Sequence, residues 1–290
     1  MKVKIGIIGG SGVYNLDGLK NPNWIKVASP WGQTSDDILT GSLNGIELAF
    51  LPRHNRKHNI SPSNIPYQAN IDALKRLNVT DIISVSACGS LNENYKPGDF
   101  VLVDQYIDRT FKREKSFFGQ GCVAHVSMAH PTCERLSDLL FTTGKKINLN
   151  IFKGGTYLTM EGPQFSTLAE SLLYKNVWKC DVIGMTNMPE AKLAREAEIC
   201  YASLSMVTDF DCWHSDHDKV EVSDIIRVLT QNSTNAQSLI KELTLKIPKE
   251  RELCEYGCNN ALDNAIITPK EHIDKSLKTK LNAILNRVNS

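Results

Sequence analysis

The amino-acid sequence predicts a single α/β domain in which helices surround a mixed, twisted β-sheet. Short runs of β-branched residues alternate with helical patterns along the chain, as expected for successive β–α units. The pair Asn44-Gly45 lies between two apolar runs and predicts a two-residue hairpin, so the sheet contains antiparallel as well as parallel strands. A chain of 290 residues, 41% of them hydrophobic, is long enough to bury a sizeable core.

Apolar segments bounded by glycine, proline or polar residues predict strands over residues 4–8, 38–43, 46–51, 81–86, 100–103, 156–160, 182–185 and 201–207. Helical spacing predicts helices over residues 70–77, 134–147, 168–175, 190–199 and 223–245. Pro189 is expected in the first turn of the fourth helix, and Ser223 as the N-cap of the fifth. We expect residues 1–245 to form the main domain and residues 246–290 to form a helical extension packed on it.

The composition excludes several classes of protein. The formal net charge is +1, so neither a nucleic-acid partner nor a membrane partner is expected. No apolar run approaches the ~18–20 residues that span a bilayer. The apolar run after the first lysines is too short for a signal peptide. We therefore predict a cytoplasmic protein.

The eight cysteines are scattered and include no Cys-x-x-Cys pair. Cys254 and Cys258 form a Cys-x-x-x-Cys pair near the C-terminus. We interpret the cysteines as reduced, mostly buried thiols, with a structural disulfide as the alternative. Because a structural zinc site needs more ligands at tighter spacing, the sequence predicts no metal.

Glycine-rich or polar tips end four of the predicted strands, where α/β folds collect their ligands: residues 9–12, 86–90, 185–186 and 208–211. The first tip, Gly-Gly-Ser-Gly, brings backbone N–H groups and the Ser11 hydroxyl toward an anion. It lacks the third glycine of a dinucleotide fingerprint and the Gly-Lys-Ser/Thr of a Walker loop. A tight turn without a ligand is the alternative.

The basic segment Arg-His-Asn-Arg-Lys-His, residues 53–58, follows the hairpin. Arginine suits the planar contacts of a phosphate, and the hydroxyls and amides of the tips 86–90 and 185–186 would complete a phosphate site. No obvious carboxylate pair for magnesium accompanies it, which favours inorganic phosphate over a nucleoside triphosphate. A solvated basic loop is the alternative.

The segment Met-Glu-Gly-Pro-Gln-Phe-Ser, residues 160–166, offers contacts to a flat ring and a sugar. Phe165 would stack on the ring, and Glu161 would hold sugar hydroxyls. Alternatively, Phe165 lies in the core and Ser166 or Thr167 caps a helix.

Two carboxylates, Asp209 and Asp211, end an apolar run, where buried acids need hydrogen-bond donors. Taken alone, these acids favour loop caps or ion pairs over a ligand contact. These acids lie at the tip of a predicted strand, and the three other polar or glycine-rich strand tips are expected nearby. A ligand contact is therefore the better interpretation.

Six motifs, in order, resemble the trimeric purine nucleoside phosphorylase family, in the branch that acts on 5′-methylthioadenosine: GIIGGSG, PRHNRKH, SACGS, EGPQFS, MTNMPE and MVTDFDCW. The resemblance extends over about residues 5–236. It implies a nucleoside-phosphorylase fold, assembly as a trimer or a dimer of trimers, and no cofactor, with inorganic phosphate as co-substrate. The implied reaction converts methylthioadenosine and phosphate to adenine and 5-methylthioribose 1-phosphate.

The resemblance also implies roles for individual residues. Phosphate contacts are implied for Ser11, Arg53, His54, Ser86, Ala87 and Thr186. Met185 would contact the ribose, Phe165 would line the base and ribose pocket, and His125 would reach the pocket of a neighbouring subunit. Ser166 and Val222 would select the 5′ group and the base, and valine at 222 favours a methylthio group.

Asp209 and Asp211 would bind the purine. The purine is a poor leaving group when it departs as an anion. A protonated carboxyl near its N7 atom would act as general acid, and Asp209 is the candidate. Asp211 would accept from the 6-amino group, which favours 6-aminopurines over 6-oxopurines. Three positions depart from the family pattern: Asn55 replaces glycine, Gln164 replaces arginine and Ser86 replaces threonine. The serine keeps the hydroxyl.

Three other functions stay open at this point. Within the family, the alternative is a methylthioinosine or 6-oxopurine nucleoside phosphorylase. A dinucleotide-binding dehydrogenase matches only the first strand and the glycine loop. A nucleoside-binding protein without activity would have no need of the phosphate cluster.

Overall fold

The computed structural model describes residues 1–10, 12–14, 16–214 and 222–289. None of the described helices is both long and apolar enough to cross a membrane. In the described part of the chain, eleven strands form one mixed sheet. They are β1 (Lys4–Gly9), β2 (Lys20–Ile25), β3 (Ile38–Leu43), β4 (Ile46–Pro52), β5 (Asp81–Ser90), β6 (Phe100–Val103), β7 (Gln105–Asp108), β8 (Ile151–Lys153), β9 (Thr156–Thr159), β10 (Val182–Gly184) and β11 (Cys200–Asp209).

The sheet is organised around β5. The strands follow the order β2-β3-β4-β1-β5-β10-β9-β7, while β11 pairs with the other edge of β5 and is followed outward by β6 and β8. β1 is parallel to both β4 and β5, and β11 is parallel to β5 over almost its whole length. The carboxyl ends of β1, β4, β5 and β11 therefore meet at one end of the sheet, as the α/β prediction requires.

Seven α-helices cover the faces of the sheet in the described ranges: α1 (Tyr67–Arg76), α2 (Glu134–Lys146), α3 (Leu168–Leu172), α4 (Asn187–Glu196), α5 (Val222–Leu243), α6 (Lys275–Lys280) and α7 (Asn286–Asn289). One apolar cluster joins the sheet to α2 and α5 through residues such as Leu136 and Leu239. The second joins it to α1 and α4, for example through Ile71 and Ala194. The predicted mixed α/β sheet with surrounding helices is confirmed.

The predicted hairpin is present between β3 and β4. Asn44 and Gly45 both have positive φ, 53° and 82°, as a two-residue turn of the I′ type requires. Three strands were not predicted: β2, β7 and β8. β2 is a mostly exposed edge strand with a proline, and β8 has three residues, so neither shows the apolar pattern of a buried strand. The N-cap prediction for Ser223 was wrong, because α5 already includes Val222.

The C-terminal segment packs against both faces of the sheet. Ile247 and Cys258 belong to the cluster under α2 and α5, whereas Leu262 and Leu281 belong to the cluster under α1 and α4. Its helices are short, and much of the segment runs in turns. The domain boundary at residue 245 stays a prediction.

Candidate active site

The site lies where one edge of β5 changes partner. On that edge, β5 pairs with β1 as far as Ser84 and with β10 from Gly89 onward. Between them, residues 85–88 have no strand partner on that edge among the described residues. This gap leaves backbone groups of β5 without a strand partner beside the ends of β1 and β4. It is the kind of crevice in which open α/β sheets bind ligands.

Asp209 ends β11, just after a register shift in its pairing with β5. The Thr208 hydroxyl donates to its Oδ2 at 2.7 Å, and the Asp211 backbone N–H donates to its Oδ1 at 2.9 Å. Gly89 makes room for the carboxylate, since a Cβ there would lie 2.9 Å from Oδ1 of Asp209 and 3.2 Å from the Ile183 side chain. The carboxylate is thus held in a set orientation beside β5.

Asp211 is buried and has a left-handed backbone, with φ 45°. The Ser171 hydroxyl, from α3, donates to its Oδ2 at 2.5 Å. Burial raises the pKa of Asp211; the hydrogen bond from Ser171 opposes this shift, and the charge of Asp209 adds to it. The pKa of Asp211 is therefore raised beside Asp209, the acid that the sequence indicates as the proton donor.

Arg53 does not offer a free guanidinium fork to a phosphate. Its side chain is only 2% exposed. It pairs with Glu190 through Nε–Oε2 at 2.9 Å and Nη2–Oε1 at 3.2 Å, and Nη1 donates to the carbonyl of Val85 at 3.0 Å. Nη2 also donates to Ile8 and Ser84. One Nη1 hydrogen is left without an acceptor among the described residues, so Arg53 chiefly joins β1 and β5 and supplies a fixed positive charge.

The environment of His54 favours the neutral ring. Burial lowers its pKa to about 4, the charge of Arg53 also lowers it, and the hydrogen bond to Ile60 opposes the shift. Nδ1 lies 2.8 Å from the Ile60 carbonyl and must carry the proton, because a carbonyl only accepts. Nε2 of the neutral ring is therefore an acceptor.

Hydroxyl groups converge across the gap in β5. Because β10 runs antiparallel to β5, the residues that follow β10 pass alongside Ala87 and Ser86. A Cβ added at Gly184 would lie 3.4 Å from the Ala87 carbonyl oxygen. Thr186 is buried at the N-cap of α4 without a capping bond from its side chain. The Ser86 hydroxyl donates to Oδ1 of Asn187 at 3.1 Å. The structure thus brings three of the predicted phosphate residues together, while Ser11 lies outside the described residues.

Glu161 is held by protein donors rather than directed at a sugar. The Ser63 hydroxyl and the Phe111 and Lys112 backbone N–H groups donate to it, and Arg113 pairs with it at 3.3 Å. Burial alone would favour the neutral acid, but these hydrogen bonds lower the pKa of Glu161. The suggested contact with sugar hydroxyls is not favoured. Arg113 also donates to the Met185 carbonyl at 2.6 Å and so positions the predicted ribose residue.

The loop that precedes α3 contacts the turn that follows β11. Phe165 is 47% exposed, so it is not a core residue. The thiol of Cys212 lies 3.4 Å from the Ser166 carbonyl, which places Ser166 next to Asp211. Thr167, not Ser166, is the N-cap of α3, in a reciprocal capping box.

The two remaining predicted residues are His125 and Val222. His125 is exposed, and its backbone N–H donates to the Ala265 carbonyl at 2.8 Å. An exposed position is compatible with contact to another subunit. Val222 begins α5, and only its backbone is described.

Sequence reasoning missed three residues that complete the site. Glu190 neutralises Arg53, Ser171 binds Asp211, and Asn187 binds Ser86. Glu190 and Asn187 stand within the MTNMPE motif, but no spacing rule connects them to partners that lie 137 and 101 positions earlier. Ser171 lies on a helix that the sequence predicted without any functional signal.

The paired acids at the end of β11 and the hydroxyl groups beside the gap in β5 have the character of an enzyme active site. The profile of the Phosphorylase superfamily matches residues 4–244, and the chain belongs to this family. The predicted family resemblance is confirmed.

Several proteins similar to this chain are methylthioadenosine phosphorylases. The chain is 60% identical over 288 residues to an S-methyl-5′-thioadenosine phosphorylase of Cereibacter sphaeroides, covering 99% of each chain. It is 47% identical to one from Koribacter versatilis, covering 99% of this chain and 97% of the relative. A methylthioadenosine phosphorylase from an antarctic soil metagenomic library superposes with a TM-score of 0.92 at 47% identity, covering 98% of this chain and 99% of that one. A Schistosoma mansoni adenosine/methylthioadenosine phosphorylase variant, solved with methylthioadenosine, has a TM-score of 0.78 at 36% identity, covering 84% and 91%.

Proposed function

We propose that this protein catalyses the reversible phosphorolysis of S-methyl-5′-thioadenosine to adenine and 5-methylthioribose 1-phosphate. It is a pentosyltransferase of purine and methionine salvage. The observation that carries the proposal is the placement of Asp209 and Asp211 beside Gly89, at one end of the gap in β5 that holds Ser86. The identity of 60% to a relative with this activity supports the choice of substrate.

In the proposed reaction, the bond between C1′ of the ribose and the purine breaks, and its electron pair goes to the purine. A phosphate oxygen then forms the new bond to C1′ of the oxocarbenium-like sugar. Burial favours one proton on the acid pair, and Asp209 passes it to the N7 atom of the leaving purine. General-acid assistance of this kind contributes roughly 10²–10⁴-fold.

The phosphate is bound by donors on the opposite side of the gap. Ser86 and Thr186 supply hydroxyls, Ala87 and Ser11 line the same site, and Arg53 contributes its charge. Because the Nε2 atom of neutral His54 only accepts, it takes a hydrogen bond from a protonated oxygen of the phosphate. No cofactor is part of this proposal, since phosphate itself is the nucleophile.

The two acids also select the base. Ser171 donates to Oδ2 of Asp211, and a remaining lone pair of this carboxylate would accept from the 6-amino group of adenine. A 6-oxopurine would place a carbonyl against this carboxylate, so two acceptors would face each other. A site that pairs with a polar group of its substrate strongly rejects analogues that lack this group.

An exposed apolar surface supports assembly of several subunits. Phe165, Leu168, Leu172 and Val177 belong to the loop before α3 and to the helical segment that follows, and each is at least 39% exposed, as is Phe111. Exposed apolar patches of this kind mark protein contacts. We propose that this surface is a subunit interface of a trimer or a dimer of trimers, in which His125 of one subunit completes the pocket of the next. The cytoplasmic location stays a prediction.

The proposal is tested by measuring base release from methylthioadenosine, adenosine, methylthioinosine and inosine, each with and without phosphate. We expect adenine release that depends on phosphate, is fastest from methylthioadenosine and persists when arsenate replaces phosphate. Equal or faster turnover of the two oxopurine nucleosides would overturn the assigned substrate. Base release without phosphate or arsenate would overturn the reaction type.

A further inference from the structure

A second cluster of reactive side chains lies away from the nucleoside site. The thiol sulfurs of Cys133, Cys200, Cys254 and Cys258 all lie within 4.8 Å of one another, and all four residues are buried. Cys200 begins β11, Cys133 is the N-cap residue of α2, and the other two belong to the C-terminal segment. Since a strand rises about 3.3 Å per residue, the cluster lies roughly 30 Å from Asp209, at the opposite end of β11.

We propose that these four cysteines bind one zinc ion in a structural site. With zinc–sulfur bonds of about 2.3 Å, a tetrahedral site separates its sulfur atoms by about 3.8 Å, a spacing that this cluster can adopt with small side-chain shifts. Four soft thiolate ligands select zinc among the common divalent metals. All four positions are filled by protein ligands, which is the arrangement of structural rather than catalytic zinc.

The turn between the two C-terminal cysteines favours the thiolate form. The backbone N–H of Cys258 donates to the sulfur of Cys254 at 3.0 Å. Gly257 has a left-handed backbone, with φ 61°, and its N–H donates to the Cys254 carbonyl at 3.1 Å, which closes the turn. Hydrogen bonds from backbone N–H groups to sulfur orient metal-bound thiolates and stabilise their charge.

Positive charge lies beside the sulfur cluster. Arg251 Nη2 lies 3.8 Å from the sulfur of Cys200. Arg135, which pairs with Asp81, also interacts with Cys133 and Cys200. The buried Nε atoms of both arginines have no hydrogen-bond partner among the described residues. Zinc with four thiolates carries a net charge of −2, which the two guanidinium groups stabilise, whereas four neutral thiols would gain little from these cations.

The proposed zinc would fasten the C-terminal segment to the amino end of β11 and the start of α2. Its role is therefore stability rather than catalysis. This proposal departs from the expectation of no metal, because the ligands come from three separate segments of the chain and only the fold brings them together.

The full-length protein should be purified without chelators and in the presence of a thiol reductant, and its metal content measured by inductively coupled plasma mass spectrometry. We expect one zinc per chain, and X-ray absorption should show four sulfur neighbours at about 2.3 Å. Cys258→Ser should lose the zinc, lower the melting temperature and make the C-terminal segment more sensitive to protease. Cys180→Ser, which changes a buried cysteine outside the cluster, should keep one zinc per chain.

The wild-type measurement decides the proposal even if Cys258→Ser fails to fold. If the purified protein contained no zinc and its four clustered thiols reacted with a thiol reagent after denaturation, the proposal would be overturned in favour of four packed thiols. An intact mass lower by two hydrogens for each of two bonds would overturn it in favour of disulfides. Zinc retained in full by Cys258→Ser would also overturn it.

Discussion

The buried pair between Arg53 and Glu190 connects stability to phosphate binding, and Glu190→Ala tests it. Both side chains are only 2% exposed and are joined by contacts of 2.9 and 3.2 Å. Oε1 of Glu190 also accepts from the hydroxyls of Ser84 and Tyr201. The substitution removes the counter-charge of Arg53 and leaves these donors without their acceptor.

Breaking a buried pair by removing one partner typically destabilises a protein by about 3–5 kcal/mol, because an uncompensated charge stays buried. We expect Glu190→Ala to lower the free energy of unfolding by about this amount. The control is Glu47→Ala, which removes the exposed partner of Lys4 in a contact of 3.2 Å; the Glu47 side chain is 68% exposed. A surface pair of that kind contributes about 0–1 kcal/mol.

The assay is equilibrium unfolding in urea at constant protein concentration, followed by circular dichroism. In parallel, the KM for phosphate should rise more in Glu190→Ala than the KM for the nucleoside, because Arg53 loses its fixed position. If Glu190→Ala destabilised the protein no more than Glu47→Ala, the idea that this pair holds Arg53 in place would be refuted.

Three further predictions concern the site. Asp211→Asn should change the ratio of kcat/KM for methylthioadenosine to that for methylthioinosine by at least ~10²-fold toward the oxopurine, since the amide supplies a donor; an unchanged ratio in steady-state assays would count against its role. Gly89→Ala should lower kcat/KM for methylthioadenosine by roughly 10²-fold, because the new Cβ lies 2.9 Å from Oδ1 of Asp209 and displaces it; full activity would show that this orientation is unimportant. The pKa of His54 is lowered from 6.5 to about 4, so the unfolded chain binds more protons than the folded one between these values. The protein should therefore lose up to about 1.4 kcal/mol of stability per pH unit as the pH falls through that window. His54→Gln should flatten this loss in urea titrations at pH 7, 6 and 5, and an identical slope in both proteins would contradict the assignment.

The order of elements was largely predictable from local pattern. The runs that became β1, β4, β5 and β11 are largely buried, and Asn44-Gly45 supplied the turn that pairs the partly buried β3 with β4. The edge strand β2 could not be predicted in the same way, because exposed residues carry no apolar alternation. The cap of α5 was misplaced for a related reason, since Ser223 satisfies the local rule for a helix start but the helix begins earlier.

At the site, residue types were predictable but their partners were not. The sequence identifies Asp209 and Asp211 as acids at a strand tip, yet the raised pKa of Asp211 depends on its burial and on its neighbours. Arg53 is a natural phosphate ligand by residue type, and only its packing against Glu190 shows that most of its donors are already used. Charge on a side chain is a local property, whereas burial and counter-charges come from residues far away in the chain.

By itself, the sequence determined an α/β protein, because periodicity is a property of neighbouring residues, and its six ordered motifs carried the resemblance to the phosphorylase family. Only the tertiary structure decided that β5 changes partner between Ser84 and Gly89 to open the site. It alone brought Cys133 and Cys200 beside the two C-terminal cysteines. Both features depend on contacts between segments separated by many positions, and such contacts form only when the whole chain packs around one core.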